Sequence, residues 1–271
     1  MKEVIKNAAS AIENADFLLF GAGAGMGVDS GLPDFRGDDG FWRAYPPFEK
    51  LGLSFSDLAN PHWFERDPRL AWGFYGHRLG LYRATVPHSG FSVLKRWSER
   101  KSARVFTSNV DGQFQIAGIE DVAEIHGSIG HLQCCEPCSE EIWSAPLQGI
   151  EVDAKSFRAV GPLPECPNCG ALARPNILMF SDGAYVSHRS DSQILELRHW
   201  LDALDLSRLA IVEMGAGTAI PSVRRFAESL QNRGASLVRI NVRESEGPDG
   251  TISLALGARE ALERIDAALS V

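Results

Sequence analysis

The feature that most constrains the fold is a run of alternating glycines directly after a short apolar segment. Phe17-Leu18-Leu19-Phe20 leads into Gly21-Ala22-Gly23-Ala24-Gly25-Met26-Gly27. A short apolar run that breaks into closely spaced glycines predicts a buried strand that turns into a helix. Glycines there let backbone N–H groups approach a phosphate, and the N-terminus of the helix adds positive partial charge. The segment therefore predicts a strand with a nucleotide site at its end.

A second cluster, Asp34-Phe35-Arg36, follows a proline turn shortly afterwards. Arginine suits phosphate or carboxylate recognition, and phenylalanine can cover a flat ring. The alternative is a surface loop with a salt-bridged arginine. The glycine turn also has an alternative interpretation, a turn that binds nothing and only lets a helix pack tightly. This alternative stays open because Met26 stands where an ordinary dinucleotide fingerprint has its third glycine.

Composition limits the class of protein and the kinds of partner. The chain has 271 residues, of which 44% are hydrophobic, and a net charge of −8. This length allows one large domain or a domain with an insert, and the acidic balance argues against a general nucleic-acid surface. No apolar run approaches the roughly 20 residues that span a bilayer, and the N-terminal residues lack a signal-peptide pattern. We expect a cytoplasmic protein without nucleic-acid or membrane partners, and the oligomeric state stays open.

Apolar runs alternate with helical patterns along much of the chain. This order predicts an α/β fold with a doubly wound, Rossmann-like parallel sheet. A segment rich in aromatic residues and prolines, at about 38–80, instead predicts a small irregular helical module. The expected strands cover 17–20, 104–107, 122–125, 209–212 and 237–241, and the expected helices cover 4–15, 87–97, 221–231 and 258–269.

These patterns divide the chain into two expected units. The larger, nucleotide-binding unit combines residues 1–37, 84–133 and 172–271. The smaller unit combines the helical module at 38–83 with a cysteine-containing module at 134–171.

The five cysteines are clustered rather than dispersed. In a cytoplasmic protein this indicates a metal site rather than disulfides. Cys166 and Cys169 form one close pair, and the second pair combines Cys138 with either Cys135 or Cys134. Two such groups joined by a loop predict a tetrahedral, purely structural zinc site with four thiolate ligands.

Polar or glycine-rich segments directly follow five of the expected strands. Because ligands of parallel sheets bind at the carboxyl ends of the strands, we expect these segments to converge on one edge. His126 is suited to general-base work near neutral pH, although a lone histidine is more often a solvated or core residue. Asn and Asp are also common turn residues. The segments are the glycines after Phe20, Asn109 and Asp111 after Phe106, His126 after Ile125, Thr218 after Val212 and Asn241 after Ile240.

Together these segments resemble the sirtuins, a family of NAD-dependent protein deacylases, from about Phe17 to the last helix. The block at 21–37 resembles their phosphate-binding and cofactor-loop signature, and Glu124-Ile125-His126-Gly127 resembles their catalytic histidine motif. Ser108-Asn109-Val110-Asp111 is similar to their Gln-Asn-Ile-Asp segment, with serine in place of glutamine. Gly217-Thr218-Ala219 is similar to their Gly-Thr-Ser loop, with alanine in place of serine.

The resemblance implies that NAD is consumed as a co-substrate and that a zinc ion is structural. It implies that His126 and Asn109 are catalytic and that Asp111 binds the carboxamide of nicotinamide. It also favours Cys134 over Cys135 as the first zinc ligand, because sirtuins place that ligand at this distance from the His-Gly pair. The implied cofactor contacts come from Gly21, Ala22, Gly23, Ala24, Gly25, Asp34, Phe35, Arg36, Ser108, Asn109, Asp111, His126, Gly215, Gly217, Thr218 and Asn241.

The substrate side of the resemblance rests on two segments. Residues 173–180 are similar to the substrate-facing segment of the family, which implies that Met179 and Phe180 contact the substrate. Ser181 there replaces the usual glycine. Tyr75 and Arg78 match a Tyr-x-x-Arg pattern of sirtuins that prefer succinyl or malonyl groups, and a spacing of three residues puts both on one helix face. The alternative is that this pair only packs against the fold.

The implied reaction removes acyl groups from lysine side chains of an acylated protein or peptide and releases nicotinamide and O-acyl-ADP-ribose. The departures at Ser108, Ser181 and Ala219 keep a second enzyme class open, an NAD hydrolase or ADP-ribosyltransferase that uses the same site. A non-catalytic sensor of NAD or ADP-ribose is a third possibility.

Overall fold

A six-stranded sheet, in which every strand runs parallel to its neighbours, forms the centre of the molecule. The computed structural model describes residues 1–34, 41, 45–46, 49 and 52–269. The strands are β1 (Phe17–Ala22), β2 (Ser102–Thr107), β3 (Val122–Glu124), β4 (Gly127–Cys134), β5 (Trp143–Ser144), β6 (Ala173–Ile177), β7 (Leu209–Met214), β8 (Ser236–Ile240) and β9 (Ile252–Leu254). The large sheet has the order β3-β2-β1-β7-β8-β9, and β5-β4-β6 form a small antiparallel sheet.

Helices cover both faces of the large sheet, which confirms the expected doubly wound α/β fold. Side chains of β1 alternate, so that Leu18 and Phe20 pack in one apolar cluster with α1, α5 and α9. Leu19 points the other way and packs in a second cluster with α7 and α8. The helices are α1 (Lys2–Asn14), α2 (Phe55–Leu58), α3 (His62–Arg66), α4 (Pro68–Ala84), α5 (Ser89–Arg100), α6 (Gln113–Ile116), α7 (His188–Asp202), α8 (Ser222–Gln231) and α9 (Ala258–Leu269).

A third apolar cluster joins α2–α4 to the small sheet. The expected irregular helical module is in part wrong, because α4 is a regular helix of 17 residues. It begins at an Asp-Pro pair, where the Asp67 carboxylate accepts a hydrogen bond from the Leu70 backbone N–H and Pro68 occupies the first turn. The separate cluster and sheet support two units, whose boundaries stay a prediction.

The segment after β1 differs from the expected helix. Two short 3₁₀ turns, Ala24–Met26 and Val28–Ser30, follow the strand instead. Each glycine within a helix lowers the stability of the helix by about 1 kcal/mol relative to alanine. Gly31 ends the second turn in the left-handed conformation at φ 86°, which glycine adopts more readily than other residues. A phosphate at this loop would therefore meet backbone N–H groups without the dipole of a long helix.

The strand order reverses between β1 and β7, and the loops after these two strands touch backbone to backbone. The Gly25 N–H donates to the Gly215 carbonyl over 3.0 Å. A Cβ atom on Gly25 would lie 2.7 Å from the Gly215 Cα, and one on Gly23 would lie 2.7 Å from the Ala216 Cα. Both glycines are therefore required by the close approach of the loops.

No helix in the described part of the chain is long and apolar enough to cross a membrane.

The loop contact predicts that Gly25→Ala lowers the free energy of unfolding by about 2 kcal/mol, because the new methyl group must push two backbones apart. Gly183→Ala is the matched control, since a Cβ atom there has no neighbour within 4 Å. The control should stay within about 0.5 kcal/mol of the parent chain in urea unfolding followed by circular dichroism. Equal midpoints for the two variants would contradict the assignment.

Candidate functional site

A cavity of about 600 Å³ opens at the carboxyl edge of the large sheet, where the strand order reverses. Its wall combines the loops after β1, β2, β3 and β7 with α4 and the segment after β6. The sequence-predicted residues that line it are Gly23, Ala24, Asp34, Tyr75, Arg78, Ser108, Asn109, Asp111, His126, Met179, Phe180, Gly215, Gly217 and Thr218.

Asn109 fixes the loop after β2 against the loop after β1. Its side-chain amide donates to the Gly23 carbonyl over 3.0 Å, and its backbone N–H donates to the Thr107 hydroxyl oxygen over 3.0 Å. Thr107 in turn donates to the Ala22 carbonyl. These hydrogen bonds fix the carboxyl ends of β1 and β2 relative to each other beside the cavity.

Asp111 presents a carboxyl group whose charge depends on pH. Burial raises the pKa of Asp111 to about 6, and the hydrogen bond from the Gln113 backbone N–H, at 3.0 Å, opposes this rise. Above pH 6 the group is a carboxylate that can accept an amide N–H. Gln113 itself is buried and donates its side-chain amide to the Tyr82 carbonyl, so it does not line the cavity.

His126 lies on the loop after β3 and is largely neutral at pH 7. Burial lowers the pKa of His126 below its ordinary value, and contact with the Ser108 backbone opposes this shift. The next residue, Gly127, has φ 77°, and a Cβ atom there would lie 2.1 Å from the Asn176 carbonyl oxygen. The His126 carbonyl also accepts from the Leu178 N–H over 3.0 Å. The histidine is therefore held by β6 and can accept a proton.

The far wall of the cavity is a cationic pocket on α4. The Arg78 Nε donates to the Tyr82 hydroxyl over 3.0 Å. Its guanidinium lies 5.1–5.8 Å from the ring centres of Phe55, Phe74, Tyr75 and Tyr82. The Tyr75 hydroxyl has no hydrogen-bond partner among the described residues. A buried cation beside a hydroxyl group suits a ligand that carries a carboxylate.

A buried ion pair shapes the segment that carries Met179 and Phe180. Arg174 holds the Asp182 carboxylate with two hydrogen bonds of 2.8 and 2.9 Å, and neither side chain is more than 1% exposed. The same carboxylate accepts from the Met179 N–H over 3.2 Å. Ser181, which precedes Asp182 in the chain, has φ 56°, a left-handed conformation that glycine adopts more easily. The turn therefore keeps its shape although the glycine is absent.

Four of the predicted cofactor contacts are not among the residues that line the cavity. Gly21 and Ala22 are the last residues of β1, and Gly25 packs against Gly215. Asn241 donates to the Ala216 carbonyl over 2.9 Å and accepts from the N–H groups of the two residues at 243 and 244. Its hydrogen bonds shape the loop after β7, so it stands behind the cavity wall. Phe35 and Arg36 lie outside the described residues.

Several wall residues were missed by the sequence reasoning, among them Glu244, Tyr82 and Phe55. Glu244 accepts a hydrogen bond of 2.6 Å from the Thr218 hydroxyl and lines the cavity at its β7 end. Tyr82 could have been found, because it follows Arg78 by one helical turn on the same face. Phe55 carries no sequence signal, since only tertiary packing brings it beneath the guanidinium.

The cysteine cluster fits a structural zinc ion. The Sγ atoms of Cys134, Cys138, Cys166 and Cys169 all lie within 4.8 Å of one another, and two of the pairs are 3.6 and 3.7 Å apart. Tetrahedral zinc with Zn–S bonds near 2.3 Å requires sulfur–sulfur distances of about 3.8 Å. The Sγ atom of Cys135 is outside the cluster, and burial raises the pKa of this thiol to about 12. The ligand set therefore contains Cys134.

Comparison with known proteins agrees with the fold. The family model described as the Sir2 family matches residues 23–199. An NAD-dependent protein deacylase of Aeropyrum pernix is 29% identical over 99% of this chain and 99% of its own length. A protein of the same name from Pyrococcus furiosus is 31% identical over 82% of this chain and 80% of its own length. A solved Sir2 homologue in complex with NAD has a TM-score of 0.73 and 23% identity, with 97% of this chain and 93% of that chain covered.

The cluster geometry predicts different outcomes for two adjacent cysteines. Cys134→Ser should reduce the zinc content of the purified protein and lower its melting temperature, because three thiolates hold the ion less well than four. Cys135→Ser should keep about one zinc per chain. Zinc can be measured by release to a chromogenic chelator after denaturation. Loss of zinc from Cys135→Ser together with retention in Cys134→Ser would reverse the assignment.

Proposed function

We infer that this chain, which belongs to the Sir2 family, removes acyl groups from lysine side chains of proteins and consumes NAD in doing so. The relatives from Aeropyrum pernix and Pyrococcus furiosus are named NAD-dependent protein deacylases. The observation that carries the proposal is the meeting of His126, Asn109 and Asp111 in one cavity with the glycine loop after β1. A basic ring, an amide and a carboxyl group there surround the space for one dinucleotide.

Each group has a task that follows from its chemistry. Bound NAD supplies a ribose carbon from which nicotinamide can leave. The loops after β1 and β7 offer the backbone N–H groups of residues 24 and 216–218 to a diphosphate, whereas those of Gly23 and Gly215 already donate to the Met214 and Ile240 carbonyls. Asp111 accepts the N–H of the carboxamide, and Asn109 orients the nearby ribose. His126 takes a proton from a ribose hydroxyl, which its lowered pKa allows at neutral pH.

The acyl group occupies the end of the cavity lined by α4. Met179 and Phe180 line the same cavity as Arg78, so an extended acyl-lysine that contacts them can reach towards the guanidinium. Because the buried guanidinium can form a two-pronged pair with a carboxylate, we propose that succinyl or malonyl groups are preferred over acetyl. The partner is accordingly an acylated protein or peptide.

Replacement of the histidine tests its role as the base. His126→Ala should fold and bind NAD with an affinity within about threefold, while the rate of deacylation falls by about 10²–10⁴-fold. In the parent enzyme the rate should rise with pH and stay level once two groups are deprotonated, since only the neutral His126 ring accepts a proton and only the Asp111 carboxylate accepts the carboxamide N–H. The variant should keep only the limb from Asp111, whose pKa is about 6.

The control is His199→Ala, which changes an exposed histidine on α7. Calorimetry gives the affinity for NAD, and peptide mass spectrometry gives the rate. Normal deacylation by His126→Ala would remove the base assignment.

Replacement of the buried arginine tests the acyl preference. Arg78→Met keeps an unbranched side chain and removes the cation, so kcat/KM for a succinyl-lysine peptide should fall by about 10–100-fold. For the acetyl-lysine peptide the change should stay within about fivefold. Arg66→Met, which removes an exposed cation from α3, should change neither value. Equal losses for both peptides with Arg78→Met would refute the preference.

A further inference from the structure

Helix α4 has two faces with different neighbours. Tyr75, Arg78 and Tyr82 follow one another at helical spacing and line the cavity. Gly73 and Gly76 lie on another face, because each residue of a helix is rotated by about 100° from the previous one. The second face contacts residues 150–161, which we name the clamp.

The clamp is a short hairpin between the two halves of the cysteine cluster. Val152 and Ala159 form an antiparallel bridge, and the Phe157 N–H donates to the Asp153 carbonyl over 2.9 Å. Cys138 and Cys166 stand on either side of it along the chain. Zinc binding therefore fixes both ends of the connection that contains the clamp.

Contact between the clamp and α4 depends on two glycines of α4, because a larger residue there would collide with the clamp. A Cβ atom on Gly73 would lie only 1.9 Å from the Phe157 carbonyl oxygen. One on Gly76 would lie 2.8 Å from the Cβ of Ile150. Gly80, one turn further along α4, has no atom within 4 Å of such a position. Two of the three glycines thus serve this contact.

Directed polar bonds fix the clamp along the first turn of α4. Arg158 donates two hydrogen bonds, of 2.7 and 2.6 Å, to the Asp67 carboxylate. Arg69 donates to the Ala159 carbonyl over 2.9 Å, and the Ala159 N–H donates back to the Arg69 carbonyl over 2.8 Å. Asp67 also caps α4 through Leu70, so the same carboxylate starts the helix and holds the clamp.

The clamp carries backbone strain at the point of contact. Phe157 has φ 53°, an unfavourable conformation for a residue with a bulky side chain. Its ring lies 5.0 Å from the His77 ring and 5.6 Å from the Tyr45 ring. Such strain persists only where surrounding contacts overdetermine the conformation. The packing of Phe157 onto α4 supplies those contacts.

We propose that the clamp is a positioning element for the acyl pocket, through which the zinc cluster sets the place of Tyr75 and Arg78. Gly73, Phe157 and Arg158 are its positioning residues, and none of them lines the cavity. The proposal rests on the proposed deacylase function only for the identity of the ligand. It predicts that separation of the clamp from α4 weakens acyl binding and leaves the NAD side of the cavity unchanged.

The main test compares Gly73→Ala with Gly80→Ala in the full-length zinc-containing protein. Both changes raise helix propensity by the same amount, but only the first forces the clamp off α4. For Gly73→Ala we expect KM for the succinyl-lysine peptide to rise by about tenfold or more, with kcat and the KM for NAD within about twofold. Gly80→Ala should match the parent enzyme in all three values.

Arg158→Ala and Arg158→Lys form a milder second pair, which keeps the test valid if Gly73→Ala does not fold. Alanine should raise KM for the peptide by a few-fold, and lysine should restore part of the loss, because it can replace one of the two hydrogen bonds to Asp67. Zinc content should stay at one ion per chain in every variant.

Hydrogen–deuterium exchange separates this proposal from the function itself. Exchange over residues 74–82 should be faster in Gly73→Ala than in Gly80→Ala, with β1 and β7 unaffected. Faster exchange in Gly73→Ala, together with a parent enzyme that deacylates no peptide, would refute the deacylase function and leave the clamp in place. Unchanged exchange and unchanged KM in Gly73→Ala, or equal losses for peptide and NAD, would refute the clamp.

Discussion

The structure depends on the direct contact of two backbones at the point where the strand order reverses. Gly23 and Gly25 after β1 meet Gly215 and Ala216 after β7 at distances that leave no space for a Cβ atom. This contact closes the sheet edge into one continuous surface. Asn109 and Asn241 then tie the adjoining loops to it by side-chain hydrogen bonds to backbone carbonyls. The cavity floor is therefore defined before any ligand enters.

Burial of charge distinguishes the opposite, substrate-facing wall. Arg78 lies within four aromatic rings, and Arg174 and Asp182 form an ion pair almost without exposure. Charged groups are costly to remove from water, so such arrangements indicate a wall whose shape is fixed. The cysteine cluster adds a second restraint to this side through the connection that packs on α4. One side of the cavity is thus built from backbone and the other from buried side chains.

Much of the fold could be predicted because apolar runs identify buried strands. The strands beginning at Phe17 and Leu209 are examples, and the polar segments after the central strands do meet at one cavity. The helix after Gly25 was wrong, because glycines chosen for close packing look the same in sequence as glycines that bind phosphate. The predicted cofactor contact of Asn241 stays a prediction, since a loop-shaping amide and a ligand-binding amide have the same sequence pattern. Helix α7 was missed because few of its residues are apolar and buried.

The central claim, that the cavity couples cleavage of NAD to deacylation, is tested most directly by mass spectrometry of the products. The enzyme would be incubated with NAD alone and with NAD plus acetyl-, succinyl- or malonyl-lysine peptide. The account predicts one nicotinamide and one O-acyl-ADP-ribose for each lysine that loses its acyl group, with little NAD consumed when peptide is absent. Free ADP-ribose formed at the same rate with and without peptide would contradict it.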